Sequence, residues 1–211
     1  MGRINVICLS LVLAAGQVAL GDIVTAVNFE EPIAYSQYFT GIGYANPPTF
    51  TNEAAAQGFV ASVGGPLTTL SATVVRSQSG GVPLIVSVHA AVGALPGTLL
   101  GQLIVPETQV ASSGVSTFDF SNLGVDLVAG EPYVITLRVD VPIVQSTRYA
   151  AERINDGHDF GIEPLYSPDG GVTWLDSGYA YEIGLRVSVL PEPATAALLA
   201  IAALMRRRRG G

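Results

Sequence analysis

Apolar and polar residues alternate along short segments of this chain, and this alternation constrains its fold more than any other feature. The clearest segment is residues 133–140, whose inward side would hold Tyr133, Ile135, Leu137 and Val139. Its outward side would hold Thr136, Arg138 and Asp140, with Val134 as the one apolar exception. Residues 179–190 repeat the pattern, with Tyr179, Tyr181, Ile183, Leu185, Val187 and Val189 predicted inward and Glu182, Arg186 and Ser188 outward. A two-residue period predicts half-buried β-strands.

Clusters of Gly and Pro separate these segments and mark turns. They are Gly64-Gly65-Pro66, Gly80-Gly81, Pro96-Gly97, Gly130-Glu131-Pro132 and Pro168-Asp169-Gly170-Gly171. Further strands are predicted at residues 70–76, 83–91, 99–105 and 116–120, with weaker candidates at 57–61 and 146–153. Residues 172–175 are predicted as a hairpin arm against 179–190, residues 52–57 as one helical turn, and residues 30–52 as a loose segment. This pattern favours an all-β fold, an antiparallel β-sandwich of the jelly-roll kind.

The first 21 residues have the layout of a secretory signal peptide. Arg3 carries the positive charge, and residues 4–15 form an apolar stretch too short for an ordinary membrane span. Ala19 and Gly21 place small side chains before a cleavage point at Asp22. The one cysteine, Cys8, would leave with this segment. The rest, predicted as one domain over residues 22–189, must then fold without a disulfide.

Residues 190–211 combine a polar break, an apolar run and a basic cluster. The break is Pro191, Glu192 and Pro193, the run is residues 194–205, and the cluster is Arg206, Arg207, Arg208 and Arg209. A helix of those 12 apolar residues is roughly 18 Å long, whereas a bilayer core is about 30 Å thick. A short C-terminal hydrophobic helix, held by the arginines on the cytoplasmic side, fits the positive-inside rule. A frayed amphipathic tail is the alternative.

Charge narrows the possible partners. The stretch Asp22–Glu192 has no lysine and holds five arginines against all 17 acidic residues, a formal charge of −12. Nucleic acids and anionic lipid surfaces are bound by basic patches, so the composition argues against both. Neutral glycans and divalent cations are compatible with it.

No catalytic constellation is recognisable, so we expect a non-enzymatic protein without a cofactor. The sequence has no Gly-x-Ser-x-Gly elbow, no His-Glu-x-x-His and no cysteine nucleophile. His89 is predicted to face solvent from a strand. Asp156 and Asp159, around His158, carry oxygen ligands that suit Ca²⁺, but a solvated acidic loop is the simpler interpretation.

Aromatic residues suggest a glycan-binding platform, because their rings match the apolar faces of sugars. The candidates are Trp174, Tyr166, Tyr149, Tyr179 and Tyr181. Tyr179 and Tyr181 share the inward side with Ile183, however, which favours a place in the core.

The order of Pro191-Glu192-Pro193, apolar run and arginines resembles the PEP-CTERM sorting signal of exported bacterial proteins. That resemblance implies recognition by an exosortase-like membrane enzyme, followed by release or transfer to the surface. Residues 54–188 resemble the choice-of-anchor β-sandwich domains, chiefly through Pro96-Gly97-Thr98-Leu99-Leu100-Gly101 and the run from Ser167 to Trp174. This second resemblance implies a jelly-roll-like sandwich and no particular activity.

We therefore expect an exported surface or extracellular-matrix protein, anchored transiently in the membrane and serving a structural or adhesive role. The alternative is a carbohydrate-binding module, with Ca²⁺ as its candidate cofactor and an extracellular polysaccharide as its partner.

Overall fold

The computed structural model describes residues 22–27, 35–49, 51–77, 81–141, 143–144, 148–154, 162–176 and 182–190. Asp22–Glu192 is one compact unit. The predicted signal peptide and residues 191–211 of the predicted sorting segment lie outside the described residues, as do Asp156, His158, Asp159, Tyr179 and Tyr181.

The described residues form seventeen strands and a single 3-10 turn at Glu107–Gln109. The strands are β1 Ile23–Val27, β2 Tyr35–Ile42, β3 Tyr44–Ala45, β4 Ala54–Val60, β5 Gly65–Ala72, β6 Val74–Arg76, β7 Leu84–Val92, β8 Leu95–Val105, β9 Ser116–Asp119, β10 Asp126–Leu127, β11 Pro132–Arg138, β12 Ile143–Val144, β13 Tyr149–Ile154, β14 Leu165–Ser167, β15 Leu175–Asp176, β16 Glu182–Ile183 and β17 Leu185–Val189. The predicted all-β class is confirmed.

Three antiparallel sheets account for most of the pairing. The largest has the order β15-β14-β4-β11-β7-β8. A second has the order β1-β17-β5-β10, with β9 also paired to β5. The third runs β16-β13-β2, with β6 also on β13, and β12 and β3 form a small parallel pair. This arrangement is consistent with a β-sandwich.

The main hydrophobic core collects inward residues from all three antiparallel sheets. The alternation predicted for residues 133–140 is confirmed, because Tyr133, Ile135, Leu137 and Val139 are all buried. The ring of Tyr133 stacks on Phe59 of the neighbouring strand β4, with centroids 5.6 Å apart. Ile183, Leu185, Val187 and Val189 are also buried as predicted.

Some residues predicted to point outward are nevertheless buried. Ser188 is 7% exposed, Glu182 8% and Thr136 3%. Ser188 and Thr136 lie in strands with a neighbour on each side, β17 between β1 and β5 and β11 between β4 and β7. Adjacent side chains shield a small residue on either face of such a strand, so outward direction does not mean exposure there.

One predicted turn lies elsewhere in the structure. Pro96-Gly97 lies inside β8, and the turn is Gly93-Ala94, since Val92 pairs directly with Leu95. Gly93 has φ +63°, a conformation that glycine adopts without strain.

Pairing also overturned three local predictions. Residues 54–57 form the start of β4 instead of part of a helical turn, because residues 54–59 are buried in a strand with a neighbour on each side. Residues 172–175 were predicted as a hairpin arm against residues 179–190. Leu175 instead belongs to β15, which pairs with β14. The supposedly loose residues 30–52 contain β2 and β3. The alanines at the start of β4 carry little periodic signal, so the neighbouring strands decide their conformation.

Candidate functional site

The candidate site lies on the face of the six-stranded sheet that points away from the main core. Register places Val134 opposite His89 and Thr136 opposite Ser87 on the adjacent strand. Because side chains alternate across a sheet, Val134 and Thr136 point to the side opposite the inward Tyr133 and Ile135, and their partners His89 and Ser87 share that outer face. His89, Thr136 and Arg138 are thereby brought together from β7 and β11.

A self-contained turn between β14 and β15 forms the other wall. The Ser167 hydroxyl donates to Asp169 Oδ1 at 2.8 Å and accepts the Gly171 N–H at 2.8 Å. Asp169 also accepts the backbone N–H and the hydroxyl of Thr173, at 2.8 and 2.7 Å. Gly170 and Gly171 have φ of +77° and +96°, which explains the glycine pair. The polar residues of this motif thus form hydrogen bonds with one another, and the predicted turn is confirmed.

The ionised form of Asp169 suits this turn. Desolvation raises the pKa of Asp169, but hydrogen bonds from Thr173, Ser167 and the Val172 N–H together outweigh it and hold the pKa below its usual value. The carboxylate therefore stays charged at neutral pH and keeps its partners.

Trp174 directly follows this turn and packs against a second, smaller apolar cluster on the outer face. That cluster is Ala56, Val134 and Leu165, with Ala91 alongside. Val134, the apolar exception in the alternating pattern, is fully buried there. Its place on the outward side is explained by the tryptophan that covers it.

Between the sheet and the turn is an open cleft of about 250 Å³. Its walls include His89, Thr136 and Arg138 from the sheet, and Gly171, Val172 and Trp174 from the turn. A Cβ added at Gly171 would lie 3.3 Å from the Trp174 ring and 3.8 Å from Arg138 Cδ. The glycine therefore leaves room for the Trp174 ring beside the turn.

Hydrogen bonds fix the state of His89. Its Nδ1 lies 3.2 Å from the Gly97 carbonyl oxygen, and its Nε2 lies 3.3 Å from Thr136 Oγ1. A carbonyl only accepts, so Nδ1 carries a proton, and in the neutral ring the Thr136 hydroxyl therefore donates to Nε2. Desolvation of the half-buried ring lowers the pKa of His89, the Gly97 carbonyl opposes this, and nearby Arg138 lowers it further. His89 is therefore neutral near pH 7. The sequence predicted a solvent-facing histidine, whereas the structure gives its ring two hydrogen-bond partners.

Arg138 is the cation of the cleft and has its own counterion. Arg138 Nη1 donates to Asp140 Oδ1 at 2.6 Å. The two side chains project from the same side of the chain, two residues apart. The cleft is thus rich in hydrogen-bonding groups while its local charges balance.

The predicted aromatic platform does not assemble as proposed. Tyr149 is completely buried in the main core. Tyr166 pairs with Ala55, a main-core residue, and so lies on the face opposite Trp174. Of the candidates within the described residues, Trp174 alone reaches the cleft. The sequence showed that Thr136 and Arg138 share a side, but bringing His89 beside them required the strand order.

The remaining predicted sites are untested. Asp156 and Asp159 fall outside the described residues, as do Pro191, Glu192, Pro193 and the four terminal arginines. Within the described residues, no group of three or more His, Cys, Asp and Glu could hold a metal ion. The same part of the chain contains no helix long and apolar enough to cross a membrane.

Comparison with protein-family models and with curated proteins finds no match to this chain.

Proposed function

We propose that this chain is an exported, non-enzymatic surface or extracellular-matrix protein with a structural or adhesive role. The observation that carries the proposal is the arrangement of the sequence around Asp22–Glu192, a compact all-β unit that contains no cysteine. A signal-peptide pattern precedes that unit, and a pattern resembling a PEP-CTERM signal follows it.

On this proposal the domain is a jelly-roll-like sandwich that folds after export. The first segment is removed at Gly21. The apolar run then holds the chain briefly in the membrane, with Arg206, Arg207, Arg208 and Arg209 on the cytoplasmic side. An exosortase-like enzyme recognises Pro191-Glu192-Pro193 and passes the domain to the surface.

Fractionation of a bacterium that has such a sorting system tests this route. The intact chain should reach the surface fraction, and a chain without residues 1–21 should stay in the cytoplasm. Glu192→Ala, combined with Pro191→Ala and Pro193→Ala, should accumulate in the membrane. Glu163→Ala makes the same charge change at an exposed position of the domain and should behave as wild type. Full-length protein in the cytoplasm would rule the proposal out.

A second function, carbohydrate binding, is favoured by the cleft beside Trp174. An aromatic ring next to fixed hydrogen-bonding groups is the arrangement that holds one face of a sugar and its hydroxyls. A glycan array would test it, with Trp174→Ala expected to abolish binding and Val128→Ala, an exposed residue away from the cleft lining, as control. Repeating the array with a chelator tests assistance by Ca²⁺ at Asp156 and Asp159.

A further inference from the structure

We propose that the cleft takes a neutral sugar ring, recognised through a pair of adjacent hydroxyls, and that it discriminates against sugars bearing a carboxylate. This inference rests on the carbohydrate-binding role proposed above and names its ligand class. Three features of the cleft support it: its charge balance, the directions of its hydrogen bonds, and its size.

Charge balance disfavours an anionic ligand. Arg138 Nη1 already donates to Asp140 Oδ1 at 2.6 Å. A ligand carboxylate that entered the cleft would have to compete with Asp140 for this guanidinium. His89 offers no second positive charge, because in the neutral ring its Nε2 accepts a hydrogen bond from the Thr136 hydroxyl. The surrounding stretch Asp22–Glu192, with five arginines against 17 acidic residues, repels anions at longer range. A neutral ligand meets none of these penalties.

Hydrogen-bond directions match a diol. Thr136 lines the cleft but is only 3% exposed, and because its proton points at His89 Nε2, its hydroxyl can act toward a ligand only as an acceptor. Arg138 is a pure donor, and a guanidinium has more N–H groups than the one directed at Asp140. One sugar hydroxyl can donate to Thr136 while its neighbour accepts from Arg138. His89 is a positioning residue here, since it fixes which way the Thr136 hydroxyl points.

Size and shape favour a single ring. The volume of about 250 Å³ equals roughly eight water molecules at about 30 Å³ each, which suits one ring with its hydroxyls. Trp174 lines one wall and supplies an apolar surface for the C–H face of that ring. The cleft is open to solvent, so further sugar units of a polymer can extend out of it.

Titration calorimetry of the purified full chain at low ionic strength tests the inference. The probes are neutral oligosaccharides (cello-, malto- and xylo-oligomers) and oligogalacturonate of the same length. Wild type should bind one neutral series at least tenfold more tightly than the uronate. Asp140→Asn should improve uronate binding about fivefold, because it leaves the Arg138 charge uncompensated. Asp126→Asn, an exposed aspartate outside the cleft, makes the same charge change and should alter nothing.

The possible results separate the two claims. If wild type binds none of the probes, the carbohydrate role itself is wrong. If it binds the uronate as tightly as the neutral series, glycan binding stands but the neutral-ligand inference is overturned. Equal effects of Asp140→Asn and Asp126→Asn would also overturn it, because the Arg138–Asp140 pair would then not set the charge of the cleft. His89→Gln should weaken neutral binding without lowering the melting temperature by more than a few degrees.

Discussion

Replacing Tyr149 with Phe should reduce the alkaline sensitivity of this fold. Tyr149 is completely buried on β13, and its hydroxyl donates to the Val82 carbonyl. Burial raises the pKa of Tyr149 to about 12, the nearby Glu107 carboxylate adds to this, and Arg148 and Arg76 oppose it. The folded protein therefore resists ionisation of a group that ionises readily once unfolded.

The size and sign of the effect follow from that pKa. Tyr149 shifts from 10.0 to about 12, and each unit corresponds to about 1.36 kcal/mol. Between pH 10 and 12 the folded state binds more protons than the unfolded state, so stability falls as pH rises. Tyr149 should account for a total loss of about 2.7 kcal/mol, most of it between pH 10 and 12. The chain contains no lysine to titrate in this range, and Tyr149→Phe leaves its other seven tyrosines unchanged.

Urea denaturation of wild type and Tyr149→Phe at several pH values from 8 to 12 measures this. At pH 8 the variant should be less stable by about 1–3 kcal/mol, because the buried Val82 carbonyl loses its donor. The two stabilities should converge as pH approaches 12. Parallel curves over the whole range would refute the reasoning, since they would mean that Tyr149 ionises equally easily in both states.

Three further outcomes are expected. Gly58→Ala should lower the free energy of unfolding by about 1–3 kcal/mol in urea, because the added Cβ would overlap the Ile162 side chain. Ser116→Ala should cost about 1–3 kcal/mol by the same measurement, since its hydroxyl bonds both a carbonyl and an N–H inside the fold. The fluorescence of Trp174, the one tryptophan, should shift toward that of exposed indole as pH falls through the lowered pKa of Asp169, and the shift should already be present at neutral pH in Asp169→Ala.

Strong local patterns in the sequence identified the central strands of the fold. Residues 83–91 and 116–120 were predicted correctly because apolar and β-branched side chains recur there with little interruption. The start of β4 was missed because three alanines carry no strand preference of their own. Its burial comes from β11 and β14 on either side, which local sequence does not encode.

The candidate site was only partly predictable, for a related reason. Trp174 and the turn before it stood out as a motif, and each polar residue of that turn has a local partner. His89 and Arg138 are 49 positions apart in the sequence and meet because β7 and β11 are neighbours in the sheet. Tyr149 and Tyr166 were misassigned because aromatic residues suit a core as well as a ligand surface.

The intact mass of the protein recovered from the cell surface tests the central claim most directly, because it reports both ends of the chain at once. We expect a species that lacks residues 1–21 and everything beyond the Pro191-Glu192-Pro193 region, and that retains the domain between them. A surface-associated protein with the mass of all 211 residues would contradict the account, since neither the signal peptide nor the sorting signal would then have been cleaved from the β-domain.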